Sequence, residues 1–300
     1  MAGRLKGKVA IVTGAGGAVG RATALLLANE GARIVANDIG AANSGEGSDA
    51  GPAETTVAMI RDAGGEAIAS FESVADWTQA QLAVQRALDN YGRIDILVNN
   101  AGNIRYAAFH ESDPADVRAL IDVHLYGTYH MARAVAPHFV AQASGVYVHM
   151  TSSTALIGMK GNAGYISAKL GVVGLSRAIA LDMAQFNVRS NCLAPAATSR
   201  MSPKRSSAEA EALYATRARP EQIAPVVAFL AGDASREISG QVIGARGNEL
   251  YLYSQSRPVR TLHRSDGWDV ASITEQLVPA WRASLTPLEE TYQVFAWPPI

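Results

Sequence analysis

Val9-Ala10-Ile11-Val12-Thr13-Gly14-Ala15-Gly16-Gly17-Ala18-Val19-Gly20 is the stretch on which the fold turns. Its first four residues are apolar and three are β-branched, the pattern of a strand buried on both faces. The glycines then force a tight turn, and the apolar spacing over residues 19–29 opens an amphipathic helix. Strand, small-residue turn and helix start in that order let the backbone approach a ligand closely. They also aim unpaired N–H groups and the positive end of the helix dipole at it, an arrangement suited to a pyrophosphate.

The same alternation continues outward. Strands are expected at residues 33–38, 67–70, 94–99, 145–150 and 188–194, after the first at 9–13, with a seventh near 241–244. Helices are expected at 54–63, 78–91, 114–138, 164–186 and 220–230. Short apolar runs separated by longer amphipathic segments predict an α/β fold, a doubly wound parallel sheet of the Rossmann-like kind. The pattern spans residues 1–247 as one domain. Residues 248–300 read as a C-terminal extension without alternating elements, whose aromatics, Trp268, Trp281, Trp297 and Tyr292 among them, need a surface to cover. A Gly-, Ser- and Asp-rich loop over 40–52 follows the second strand, and a second loop over 196–207 carries Pro203, Lys204 and Arg205.

Composition narrows the function. The chain has 300 residues, 48% of them hydrophobic, and a formal net charge of −1 from 26 basic and 27 acidic side chains. No global field draws it to nucleic acid or to an anionic membrane, so a small-molecule partner held locally is expected. Cys192 is the single cysteine and the six histidines include no HxxxH pair, which argues against disulfides and against a metal site. No signal pattern and no apolar run near the roughly 20 residues of a membrane span are read, and the expected location is cytoplasmic.

Asp38 ends the second strand, 24 positions after Gly14. A carboxylate there can accept hydrogen bonds from the adenine-ribose hydroxyls and repels a 2′-phosphate. No Lys or Arg lies between Gly14 and Gly20, so NAD is expected over NADP. Asn99-Asn100-Ala101-Gly102 follows the fourth strand, at the sheet edge where such folds bind ligands.

Tyr165 and Lys169 stand four apart on one helix face. A free phenol, with a pKa of about 10, transfers protons poorly near neutrality unless positive charge stabilises its anion, which Lys169 can supply. A hydroxyl from Ser152 or Ser153, at the end of the fifth strand, can hold a substrate oxygen. The set makes an acid/base site for carbonyl chemistry beside a hydride carrier. A non-catalytic nucleotide sensor would not need it, and a purely structural subunit would need neither Asp38 nor the open glycine turn.

With the glycine turn, Asn99-Asn100-Ala101-Gly102, a serine before Tyr165, Lys169, Asn191 and Pro195, the sequence resembles a short-chain dehydrogenase/reductase from about Lys8 to Gly244. The resemblance implies an NAD(H)-dependent oxidoreductase forming homodimers or homotetramers. It implies a cofactor site of Gly14, Gly17, Ala18, Val19, Asp38, Ser73, Val74, Asn100, Ala101, Gly102, Tyr165, Lys169 and Pro195. It also implies that Lys169 binds the nicotinamide ribose and lowers the tyrosine pKa.

Three departures stand out. Ala18 replaces a glycine of the turn. The family spacing selects Ser152, whereas alignment of the strand end selects Ser153, the expected catalytic serine here. His124 occupies the place of an asparagine that organises a relay water, and is either a relay or a packed core histidine. His124, Asn37-Asp38-Ile39-Gly40 and the run 194–201 resemble the branch holding (3R)-hydroxyacyl-CoA dehydrogenase units of multifunctional enzymes. That implies a 3-hydroxyacyl-CoA-like substrate, with hydroxysteroids or other secondary alcohols as alternatives; Arg200, Lys204 and Arg205 are either contacts for a CoA phosphate or a basic surface loop, the more common meaning of such residues.

Overall fold

Strand β1 (Val9–Thr13) lies between β2 (Arg33–Asn37) and β4 (Ile96–Asn99), parallel to both. Around this centre, β3 (Ala67–Ser70), β5 (Gly145–Met150), β6 (Val188–Ala196), β7 (Val242–Arg246) and β8 (Glu249–Leu252) complete one sheet in the order β3-β2-β1-β4-β5-β6-β7-β8. All pairings are parallel except β7 with β8. The computed structural model describes residues 3–202 and 207–300; Pro203, Lys204 and Arg205 lie outside them. Because strand order reverses between β1 and β4, a crevice opens beyond their carboxyl ends.

Neighbouring residues of β1 serve opposite layers. Val12 packs with Leu27, Ile60 and Leu230 from α1 (Ala18–Asn29), α2 (Gly51–Asp62) and α9 (Ala224–Ala231). Ile11 packs with Val84, Met131 and Phe139 from α3 (Trp77–Tyr91) and α5 (Gly127–Gln142). The period of two in a strand buried on both faces produces this division. Helix α7 (Ala163–Asp182) covers β6, with Val172 against Cys192 and Val242. By length and composition alone α7 could cross a membrane, with a mean hydropathy of 1.2 over an 18-residue window; here that stretch packs on the sheet.

Three expectations are corrected. The helix foreseen over 114–138 is interrupted: α4 (Pro114–Ile121) passes through a π-turn at Asp122–Tyr126 before α5 begins. Such a turn widens the helix by one residue without disturbing the apolar pattern that suggests a single helix. Helix α8 (Ala208–Arg217) is absent from the expected elements. The extension is not irregular. Gly247, at φ +59°, and Asn248 form a two-residue turn that folds β8 back on β7. Asp269 then caps α10 (Val270–Trp281), and α11 (Thr291–Val294) follows.

Candidate active site

The glycine turn is shaped by close approaches on one side and openness on the other. At Gly14, in the left-handed region at φ +65°, a Cβ would stand 2.9 Å from Ala101 Cα and from Asn100 Nδ2. At Gly17 the nearest atom to such a Cβ is 3.4 Å away, so the backbone there is accessible. Gly17 precedes α1 and gives it no side-chain cap. The first-turn amides therefore remain free for an anionic ligand. Asn100 ties this turn to β4: its Nδ2 donates to the carbonyls of Thr13 (2.9 Å) and Gly14 (3.1 Å). The Thr13 hydroxyl in turn accepts from the amides of Asn100 (2.9 Å) and Ala101 (3.0 Å).

Asp38 is aimed at the turn by two amides, Gly16 N–H to Oδ2 at 2.8 Å and Gly40 N–H to Oδ1 at 2.7 Å. Each oxygen keeps acceptor capacity for a further donor. The nearby cation is Arg21, one residue past the glycine motif, and it is committed to the Gly16 carbonyl (2.9 Å) and the Thr56 hydroxyl (3.1 Å). An open turn, an uncapped helix and a carboxylate with spare lone pairs fit the pyrophosphate and ribose of a dinucleotide.

At the far end of the cleft, Lys169 donates to the Met150 carbonyl at 2.7 Å and is buried. Burial lowers its pKa to about 8. Tyr165 lies one turn earlier on α7, with Lys169 Nζ 5.9 Å from its ring centre. Burial, opposed by a hydrogen bond from Ser152, raises the phenol to about 12. The expected lowering by Lys169 is thus not what the protein's own groups produce: desolvation dominates, Tyr106 adds to it, and Tyr165 is a neutral phenol.

The hydroxyl that meets Tyr165 belongs to Ser152, one residue before the expected Ser153. Ser152 keeps the extended backbone of the strand end (φ −153°, ψ 143°) and caps α6 (Ser153–Leu156), whereas Ser153 is already the first helical residue. The Ser152 hydroxyl also lies 2.8 Å from the Thr154 hydroxyl and accepts from the Thr154 amide at 3.3 Å, and both serines line the cleft.

His124 sits in the π-turn, buried, its ring edge-on to Tyr165 at 5.0 Å between centroids. Its Nε2 is 2.7 Å from the Asn103 carbonyl and 3.3 Å from the Asn103 amide, and its buried Nδ1 has no hydrogen-bond partner among the described residues. Burial first, and then the Lys169 charge, hold its pKa well below the usual value, so the imidazole is neutral.

One cleft of about 880 Å³ opens at the carboxyl edge of the sheet. It gathers Gly14, Gly17, Ala18, Val19, Asp38, Ser73, Val74, Asn100, Ala101, Gly102, His124, Ser153, Tyr165, Lys169 and Pro195. Residues not singled out in the sequence complete the walls: Tyr106, Met159, Leu213, Tyr214 and Arg246, with Phe295 from the extension, where Trp297, expected to need a surface, joins them. Thr13, the hub of the turn, was legible as the sole hydroxyl at the junction of strand and glycines. The residues near 295 carried no local signal. Among the described residues no group of three or more His, Cys, Asp or Glu is placed to hold a metal ion.

Comparison with known proteins places these features in context. The short chain dehydrogenase family matches residues 8–211. A protein of Mycobacterium tuberculosis described as a short-chain type dehydrogenase/reductase is 44% identical over 223 residues, covering 74% of this chain and 77% of that one. The peroxisomal multifunctional enzyme type 2 of Drosophila melanogaster is 36% identical over 81% of this chain, which spans only 40% of that longer protein. A 3-oxoacyl-[acyl-carrier-protein] reductase of Thermotoga maritima is 34% identical over 81% of this chain and 98% of its own. In structure, a short chain dehydrogenase from Mycobacterium avium superposes with a TM-score of 0.84 at 32% identity, over 96% of this chain and 99% of that one. Carveol dehydrogenase from the same species, in complex with NAD, gives 0.73 at 28% identity, over 81% and 97%.

Proposed function

The chain belongs to the short chain dehydrogenase family, and on that premise we propose that it is an NAD(H)-dependent oxidoreductase interconverting a secondary alcohol and a ketone, its substrate a 3-hydroxyacyl thioester such as a CoA ester. The observation that carries the reaction is the convergence of Ser152, Tyr165 and buried Lys169, itself fixed to the end of β5, on one cleft. Likeness to a 3-oxoacyl reductase and to a multifunctional peroxisomal enzyme supports the thioester. The NAD complex of carveol dehydrogenase and the fixed carboxylate of Asp38 support NAD.

The Gly14–Gly20 turn and the α1 amides would hold the pyrophosphate of NAD(H) and Asp38 its adenine ribose, with Ser73 and Val74 bordering the adenine end; bound there, the cofactor would supply or accept the hydride at the carbinol carbon. Ser152 donates a hydrogen bond to the substrate oxygen and orients it. Tyr165 gives its proton, as a neutral phenol, to a ketone oxygen in reduction, and in oxidation takes the alcohol proton as the phenolate. Lys169, charged below a pKa of about 8, stabilises the phenolate left behind. Its hydrogen bond to Met150 fixes where that charge stands. His124 acts as a positioning residue, holding the Asn103 segment and the tyrosine ring face.

A panel of 3-hydroxyacyl-CoAs, hydroxysteroids and simple secondary alcohols, with NAD reduction followed by absorbance, tests the reading; preference for an alicyclic alcohol would move the substrate toward carveol-like compounds. We further propose a cytoplasmic homodimer or homotetramer. Tyr126, Tyr129, Val140, Leu170 and Leu181 on the outer faces of the π-turn, α5 and α7 are exposed apolar side chains that subunit contact would cover. Light scattering after size exclusion measures the assembly, and a monomer would remove that part of the proposal.

A further inference from the structure

The last eleven residues form a strap across the mouth of the cleft, tied down at both ends. At one end Glu290 accepts from the Lys160 amide at 3.1 Å and pairs with its ammonium at 3.2 Å. The Thr291 amide and hydroxyl both donate to the Gly158 carbonyl, at 2.9 and 2.8 Å. At the other end the Ile300 carbonyl accepts from the Asn248 amide at 2.7 Å. There Arg246 bonds the Trp297 carbonyl and Glu249, and Trp297 Nε1 reaches the same carboxylate at 2.8 Å. Arg246 also lies over the rings of Phe295 and Trp297, 5.6 Å from each centre.

Between the anchors, Tyr292, Phe295 and Trp297 line the same cleft as Tyr165. The Thr291 hydroxyl also approaches the Ser153 carbonyl at 3.4 Å, which sets the start of the strap beside Ser152. We propose that this strap is a specificity element: Phe295, supported by Arg246 and flanked by Tyr292, forms the apolar wall against which the hydrocarbon part of the substrate lies. This rests on the oxidoreductase reading above for the identity of the ligand, though not for the wall itself. A ring held from behind by a guanidinium and by Tyr251, at 5.1 Å between centroids, offers a fixed surface to a chain or ring extending from the reacting carbon. The strap lies beyond residues 8–211, the stretch matched by the family.

The test uses the full chain with short-, medium- and long-chain 3-hydroxyacyl-CoA esters. Two quantities are read for the wild type, Phe295→Ala and Arg246→Gln: steady-state kinetics, and ester binding to the NADH complex by calorimetry. Both variants should raise KM and the dissociation constant by about tenfold on long esters and far less on short ones, with kcat and NAD affinity largely kept, since an apolar contact of this size discriminates by roughly 10–200-fold. Loss independent of chain length, or no loss in either variant, overturns the proposal. A wild type that binds long esters more tightly than short ones without oxidising them removes the reaction and leaves the strap's role standing. One that binds no ester removes both.

Discussion

Lys169 Nζ stands 2.7 Å from the carbonyl of Met150, the last residue of β5. The Thr151 hydroxyl closes the link by donating to the Lys169 carbonyl at 2.9 Å. A strand end and a helix thereby hold an ammonium inside the protein, where burial lowers its pKa to about 8. The native pKa lies below the unfolded value, so the unfolded state holds the additional proton between about pH 8 and 10.5. Stability contributed by this group is therefore lowest below pH 8 and rises through that window. Lys169→Met should stabilise the fold at pH 7 by ~3 kcal/mol, flatten the rise in Tm above pH 8, and remove nearly all turnover. Differential scanning calorimetry across pH together with activity measures both. A variant less stable at pH 7 than the wild type would contradict the burial penalty.

Ser152→Ala should lower kcat by about 10²-fold or more, as loss of a positioned donor at a reacting oxygen does, while Ser153→Ala has a smaller effect. Steady-state kinetics of the two variants decides between them. The opposite order would return the role to Ser153.

Asp38→Ala should weaken NAD by roughly 1.5–3 kcal/mol, the worth of a hydrogen bond to a charged group, and narrow the gap to NADP. Arg21 is already held by Gly16 and Thr56 and gives a 2′-phosphate little help. Titration of both cofactors reads the outcome, and equal affinities in the wild type would refute the basis of the preference.

Gly102→Ala would place a methyl 2.5 Å from His124 Cε1. The imidazole is buried and bonded to Asn103, so it cannot swing aside without losing that bond. The substitution should cost about 1–3 kcal/mol of stability and lower turnover through Tyr165, whose ring His124 supports. Pairing it with His124→Ala, which removes the obstacle, should recover part of the loss in Tm. No recovery would show that the two residues do not clash.

What was legible in the sequence was local. The β1 run, its glycine turn and α1 stand next to one another in the chain, and Tyr165 and Lys169 are one helical turn apart, so periodicity alone places each pair. Ser152 was not settled because the choice depends on where extended backbone gives way to α6, a matter of one residue at an element end. The π-turn around His124 was hidden because widening a helix by one residue leaves its apolar pattern intact. The strap was least visible: Glu290 and Lys160 are 130 residues apart, and no local pattern announces a contact of that span. The β7–β8 turn, in contrast, was present in Gly247-Asn248 between two apolar runs, a hairpin signal that went unread under the expectation of an irregular tail.

The central claim is that the Tyr165 hydroxyl carries the proton. Tyr165→Phe keeps the ring that packs on His124 and removes only the oxygen bonded to Ser152. Single-turnover oxidation of the best substrate by the NAD complex is the direct measurement, made alongside NAD affinity and Tm. The account predicts a rate lower by about 10²–10⁴-fold, with cofactor affinity unchanged and the fold intact. A folded, NAD-binding Tyr165→Phe protein that transfers hydride at near the wild-type rate would contradict it.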